Sequence, residues 1–247
     1  MKLIGLIGNP LGHSFSNDYF TRKFEKEHLT DWSHRNFALP SLDHLTELFV
    51  RHPDLVGFNV TIPFKQKILP YLDNLADPVP AIGAVNTVAV SRQSGKIILS
   101  GYNTDYIGFR ESLMNWLDPK IKNALIFGTG GSAQAIGFVL SGIGISYQMV
   151  SRSPQPGQLS YTNINQSVAT ISRLWVNCTP VGMYPSGDQV LELPFNRLTS
   201  DHYLFDLVYN PAVTTFMKKG AQMGAKVKNG KEMLIRQAEA SWHIWNH

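Results

Sequence analysis

Residues 3–7 (LIGLI) form an unbroken apolar run, ended by the glycine- and proline-bearing loop from Gly8 to Gly12. A run this short, bounded by turn residues, predicts a buried strand. Ser16 then precedes a stretch with helical character through about His28, and Phe37 ends a second extended run. Leu42, Leu45, Leu48 and Phe49 recur at helix spacing, and residues 55–61 are apolar and β-prone. Pro63 is placed to open a further helix, since proline suits a first helical turn. The loop Asp77-Pro78-Val79-Pro80 leads to an extended run over 85–90. Ser94-Gly95 predicts the turn of a hairpin whose second strand covers 96–100.

A second unit begins near Asn103 by the same reading. Ile107, Leu113, Met114 and Leu117 give a helix face, and Pro119 lies beyond its end. Residues 124–127 (ALIF) run straight into a glycine turn, and a helix of small residues continues to about Ile143. Runs at 147–150, 175–177 and 203–209 predict further strands, with the polar stretch 153–166 as a connection. Residues 231–245 read as a final helix with Leu234, Ala238, Trp242 and Trp245 on one broad face. Strands alternating with helices predict an α/β fold with mainly parallel sheets. No internal repeat or low-complexity tract interrupts this order.

Composition narrows the class. Of 247 residues, 43% are apolar and 16% charged, which is the balance of a chain with a packed core rather than a disordered one. No apolar run approaches the ~18 residues of a membrane-spanning helix. The first residues are broken by Gly5 too soon for a signal peptide, so a cytoplasmic protein is expected. The single cysteine, Cys178, excludes an internal disulfide and a cysteine-based zinc site, and no metal is expected. Net charge is +4. The densest basic group, Lys218, Lys219, Lys226, Lys228, Lys231 and Arg236, lacks interleaved aromatics for stacking on bases. It reads as a solvated face, and the mild positive excess suits a small anionic ligand better than nucleic acid.

The strongest local signal is strand, then Gly128-Thr129-Gly130-Gly131-Ser132-Ala133, then helix. Glycines in that context allow a tight turn and let backbone amides approach a pyrophosphate at a helix N-terminus. About twenty residues on, Ser151-Arg152-Ser153 ends the next strand without the acidic residue that grips a ribose 2′-hydroxyl. Arg152 is either a surface arginine or a partner for a 2′-phosphate, to which both serines can donate. NADP is therefore favoured over NAD.

The first half carries polar groups beside strand ends. Ser14 and Ser16 point the same way if extended, although Ser16 is equally suited to cap a helix. Asn59 and Thr61 alternate toward one side of a strand end, and Lys65 follows on the first turn of the expected helix. Asn86-Thr87 and Asn103-Thr104-Asp105 add amides, hydroxyls and a carboxylate. Ligands of open α/β sheets collect at such edges.

GNPLGHSFS, NVTIPFK, GAVNT, GYNTDYIG, GTGGSAQA, NCTPVGM and NGKEMLIRQA, taken in order, resemble the shikimate dehydrogenase family over essentially the whole chain. The resemblance implies an α/β protein of two domains. These are an N-terminal substrate-binding domain (1–101, completed by the returning helix 231–247) and a Rossmann-type NADP-binding domain (102–230). It implies reversible reduction of 3-dehydroshikimate to shikimate with NADPH, in aromatic amino-acid biosynthesis. By motif position, Ser14, Ser16, Thr61, Lys65, Asn86, Asp105, Tyr209 and Gln237 hold substrate, with Lys65 and Asp105 as the catalytic pair. Asp77, the turn Gly128–Ser132, Ser151, Arg152, Ser153, Thr179, Leu207 and Gly230 lie around the cofactor. The expected partners are the small-molecule substrate and at most a second copy of the chain, as monomer or homodimer.

The chain departs from the family pattern in places. Asn17 stands where a proline is frequent, and Phe20-Thr21 where the family has His-Asn. The family's second arginine after Arg152 is missing, its place taken by Pro154-Gln155-Pro156. Length is also somewhat below the family's, mostly at loops and at the end. Three rivals share much of the pattern. An NAD-using quinate/shikimate dehydrogenase differs mainly at the 2′-phosphate pocket. A ligand-sensing module would usually lack Lys65 or Asp105, and a methylenetetrahydrofolate dehydrogenase-like protein would lack the serine pair.

Overall fold

In the computed structural model, which describes residues 1–11 and 15–246, the first apolar run is strand β1 (Lys2–Gly8). Helix α1 (Phe15–Lys26), strand β2 (Trp32–Ala38), helix α2 (Leu45–Arg51) and strand β3 (Leu55–Val60) follow. Then come β4 (Asn74–Leu75), the short helix α3 (Val79–Ile82) and the hairpin of β5 (Thr87–Gln93) and β6 (Lys96–Tyr102). These strands lie in the order β2-β1-β3-β5-β6-β4. β1 is parallel to β2 and β3, and β4 to β6, but β5 is antiparallel to both β3 and β6, so this sheet is mixed, with three of its five pairings parallel. For β5 and β6 the cause is local: Ser94 and Gly95 both have positive φ, and a two-residue turn of that kind joins only antiparallel strands.

The helix expected after Pro63 does not form. Residues 61–68 make successive turns instead, with the Phe64 N–H donating to the Thr61 carbonyl at 2.8 Å and Ile68 to Phe64 at 2.9 Å. The Lys65 carbonyl, which a helix would give to residue 69, accepts from the Val85 N–H at 2.7 Å. That long-range bond ends the helical path before it starts.

The second unit holds α4 (Asp105–Met114), β7 (Asn123–Phe127), α5 (Gly131–Gly142), β8 (Ser146–Val150) and α6 (Gln166–Ile171). It continues with β9 (Leu174–Asn177), β10 (Tyr203–Asp206), α7 (Thr215–Gln222), β11 (Lys226–Asn229) and α8 (Lys231–Asn246). Its sheet, in the order β11-β10-β9-β7-β8, is parallel throughout. Alternation divides β7 between two cores. Ala124 and Ile126 pack with Phe109, Leu113 and Ile136, while Leu125 and Phe127 pack with Trp175, Leu204 and Phe216. A strand covered on both faces reads as an unbroken apolar run, which is why it is legible in the sequence. On α4 the buried face is carried by Phe109 and Leu113, whereas Met114, expected on it, is 55% exposed.

The units divide at Thr104/Asp105 and, within α8, at Gln237/Ala238, rather than at 101/102 and 230/231. Met233 joins the core of the second unit, so the first turns of α8 belong there. Ala238, Trp242 and Trp245 pack with Ile4, Phe20, Phe24 and Trp32 in the first unit. Trp242 meets Trp32 edge-on at 4.6 Å, and the Trp245 indole N–H donates to the Val88 carbonyl at 2.9 Å. Truncating a buried tryptophan of this kind costs about 3–5 kcal/mol, which makes the returning helix a large part of this core. No helix among the described residues is long and apolar enough to cross a membrane.

Candidate active site

In the first unit, backbone bonds gather three of the expected residues at the C-terminal edge of β1 and β3. The Thr61 N–H donates to the Ile7 carbonyl at 2.9 Å, Val60 N–H to the Asn86 carbonyl at 2.8 Å, and Val85 N–H to Lys65 at 2.7 Å. Thr61, Lys65 and Asn86 therefore sit on neighbouring stretches of chain, with Thr61 and Lys65 half-buried and Asn86 buried. Asn86 is clamped in place: its Nδ2 donates to Thr104 Oγ1 at 2.9 Å, and its Oδ1 accepts from the Thr104 N–H at 2.6 Å.

Behind that edge lies a cluster of neutral groups. Asn59 Nδ2 donates to Thr87 Oγ1 at 3.1 Å and Ser241 Oγ at 3.0 Å, and Ser241 Oγ also lies 2.7 Å from Thr87 Oγ1 and 3.0 Å from Thr104 Oγ1. Asn59 thus serves the interior rather than the edge, and its buried Oδ1 has no hydrogen-bond partner. Ser16 is buried in the first turn of α1, which begins at Phe15, so it is not the helix cap. Ser14 and His13 lie outside the described residues. Asp77 is exposed, two residues before α3 in this unit.

The second unit holds Asp105, Tyr209 and Gln237. Asp105 is buried at the first position of α4. Gln237 is buried and packs against Gly108, one turn beyond Asp105, while its Nε2 donates to the Leu234 carbonyl at 2.9 Å. Tyr209 is half-buried in the segment after β10.

The glycine turn has the geometry a phosphate needs. Gly128 has φ +106°, a left-handed value that a side chain would strain, and a Cβ there would also press on Thr179 Cγ2 at 3.2 Å. Gly130 occupies the N-cap of α5, with no side-chain cap and open space where a Cβ would be. No acidic residue lies in that first turn. A helix end left without a side-chain cap or a repelling carboxylate fits an anionic group such as a pyrophosphate. Beyond β8, the Ser151 N–H donates to the Leu159 carbonyl at 2.9 Å and the Ser153 N–H to Ser151 Oγ at 3.2 Å, leaving Arg152 exposed at the turn.

Thr179, Leu207 and Gly230 are drawn together at the same edge of the second sheet. Asn177 Oδ1 accepts from the Thr179 N–H at 3.0 Å and its hydroxyl at 2.7 Å, and the Leu207 N–H donates to the Asn177 carbonyl at 2.9 Å. Gly230 approaches the Leu207 carbonyl too closely for any Cβ. Beneath them Asp206 is fully buried, and burial pushes its carboxyl up to about 6 against the hydrogen bonds it accepts. The sequence reading missed Ser241 and Asp206. Each had a signal: a hydroxyl one turn beyond Ala238 in the apolar stripe of α8, and an acid within the apolar run YLFDLV.

Comparison with known proteins follows the same pattern. The family model for the shikimate dehydrogenase substrate binding domain matches residues 6–88. A protein of Methanococcus maripaludis named shikimate dehydrogenase (NADP(+)) is 34% identical, covering 99% of this chain and 91% of its own. The shikimate dehydrogenase structure of Aquifex aeolicus superposes with a TM-score of 0.85 at 30% identity, covering 99% of this chain and 92% of that one. That of Thermus thermophilus, in complex with NADP(H) and shikimate, gives 0.84 at 29% identity, covering 99% and 93%. With one third of its residues shared along almost its whole length, and with both units reproduced, the chain belongs to the shikimate dehydrogenase family.

Proposed function

We propose that this chain catalyses the reversible NADPH-dependent reduction of 3-dehydroshikimate to shikimate, a step of chorismate and aromatic amino-acid biosynthesis. The observation that carries the reading is the 34% identity, over 99% of the chain, to a relative named for this activity. The glycine turn without a side-chain cap at Gly130 supports it from the physical side.

When bound, the nicotinamide supplies the hydride, which is the hard chemistry of the reaction. The chain supplies orientation and charge. Lys65, as an ammonium, polarises the ketone and stabilises the growing alkoxide. Asp105 acts with Lys65 and holds the neighbouring substrate hydroxyl. Ser14, Ser16 and Tyr209 take the carboxylate, while Thr61, Asn86 and Gln237 take hydroxyls. Asp77, the turn from Gly128 to Ser132, Thr179, Leu207 and Gly230 line the dinucleotide, and Arg152 with Ser151 and Ser153 takes its 2′-phosphate. The substrate contributes the anion and the chain the cation, in keeping with the excess of basic residues. The reaction belongs to the cytoplasm, and the working unit is a monomer or a homodimer.

A second reading, an NAD-using quinate/shikimate dehydrogenase, is favoured by one observation: Arg152 is followed by Ser153-Pro154-Gln155-Pro156 without a second cation. A sensing module is disfavoured because Lys65 and Asp105 are both retained. Steady-state assays of shikimate and quinate, each with NADP+ and NAD+, separate these. The highest kcat/KM belongs to shikimate with NADP+, and a preference for quinate or for NAD+ overturns the proposal.

A further inference from the structure

The proposed chemistry makes no use of Asp206, a carboxylate buried at the C-terminal edge of the second sheet. Its surroundings are specific. Oδ1 accepts from Asn177 Nδ2 at 2.9 Å and from the Val208 N–H at 3.0 Å, and Oδ2 accepts from the Thr214 hydroxyl at 2.5 Å. The three donors come from three different stretches of chain: the end of β9, the segment after β10, and the cap of α7.

Two of these stretches lead on to the glycine turn and its neighbours. Asn177, held through its amide nitrogen, uses its amide oxygen to fix both the N–H and the hydroxyl of Thr179. Thr179 in turn is the residue against which Gly128 packs. Val208, held through its N–H, accepts from the Gly230 N–H at 3.4 Å, and Leu207 beside it touches Gly230. We propose that Asp206 is a positioning residue for the dinucleotide, tying the loops of Thr179, Leu207 and Gly230 into the shape that supports the glycine turn. The assignment rests on reading the second unit as the dinucleotide site.

A purely structural role explains the arrangement less well. Burying a carboxylate is costly even when it is fully bonded, and an apolar side chain of similar volume is commonly as stable or more so. The raised carboxyl of Asp206 shows that its bonds do not fully offset that cost. A carboxylate only accepts, so it fixes the direction of all three donors at once, which an apolar residue cannot do.

The test compares Asp206→Ala and Asp206→Asn with wild type. NADP+ affinity is measured by titration calorimetry, and kcat and the KM for shikimate at saturating NADP+. Asp206→Ala weakens NADP+ binding about tenfold or more, with kcat within about threefold and the KM for shikimate unchanged. Asp206→Asn, which keeps an acceptor oxygen for Asn177 and Val208, restores affinity to within about threefold. If Asp206→Ala fails to fold, Thr214→Val removes one donor remote from the glycine turn and weakens NADP+ binding about threefold. Wild-type NADP+ affinity in Asp206→Ala, or in Thr214→Val where that variant is used, overturns the proposal. So does an equal loss of NADP+ and shikimate binding, or a fall in melting temperature alone. A wild type that binds neither NADP+ nor NAD+ overturns the dinucleotide reading itself, before any variant is compared.

Discussion

Both units bury polar side chains at the edges of their sheets, but the two clusters are chemically different. In the first, Asn59, Asn86, Thr87, Thr104 and Ser241 are amides and hydroxyls only. In the second, Asn177, Thr179 and Thr214 are organised around a carboxylate. A hydroxyl can donate or accept, so these residues of the first cluster can exchange partners, and none of them is itself ionisable. A carboxylate accepts only, so the second is directional and responds to pH. The difference teaches that the same task, fixing loops at a sheet edge, has been met once by adaptable neutral groups and once by a directional carboxylate hub.

The largest expected effect is on turnover, and it involves one residue from each unit. Lys65→Ala lowers kcat by about 10³ while changing the KM for shikimate little, because its contribution is made mainly in the transition state. Asp105→Asn also cripples turnover, and the double variant loses less than the product of the two single losses, as expected of groups acting as a unit. Steady-state kinetics of the three variants check this; multiplicative losses break the pairing.

The next effect is the opposite response of the units to pH. In the first unit, burial lowers the His34 imidazole to about 4 from an ordinary value of 6.5. Its neutral form therefore stabilises the fold above pH 6.5, and that stability is lost as pH falls toward 4. Asp206 is raised to about 6 from 3.8, so its contribution is present below pH 3.8 and lost as pH rises through 6. Each is on the order of 3 kcal/mol over its window. Unfolding free energies between pH 4 and 7 show it: relative to wild type, His34→Phe gains stability as pH falls and Asp206→Asn gains as pH rises.

Smaller still is the loss from opening the neutral cluster. Ser241→Ala leaves Asn59, Thr87 and Thr104 each short of a partner and costs about 2 kcal/mol, with no pH dependence between 5 and 8 on denaturant titration. A pH-dependent loss there breaks the contrast between the clusters. The smallest effect is at the proposed 2′-phosphate contact, where Arg152→Ala lowers kcat/KM for NADPH about tenfold and nearly spares NADH. Equal losses for both cofactors remove Arg152 from the 2′-phosphate.

What was legible in the sequence was what depends on neighbours in the chain. The runs at β1, β3 and β7, the Ser94-Gly95 hairpin and the glycine turn each announce themselves within ten residues. The departures come from partners far away. Val85 takes the Lys65 carbonyl, so the helix after Pro63 is lost. The polar helix α7 and the edge strand β11 carry lysines and glycine rather than an apolar pattern, and both went unpredicted. Asp206 was hidden because the run 203–209 reads as one strand, whereas the strand stops at the acid that its loops converge upon. The site was readable as a set of residue types; which of them face a ligand and which brace the fold, as Asn59 and Asn86 show, depended on their burial and partners.

The division within α8 has a consequence for the order in which the protein is made. The second unit, 105–237, is contiguous, whereas the first is interrupted after Thr104 and resumes at Ala238. A ribosome therefore releases every residue of the second unit before the first has received Ser241, Trp242 and Trp245. Domains form as units during synthesis, so the later half of the chain is the first that can finish folding. Until then the earlier half waits with Ile4, Phe20, Phe24 and Trp32 uncovered, the apolar surface that chaperones hold, and it is completed only after the second unit has been made.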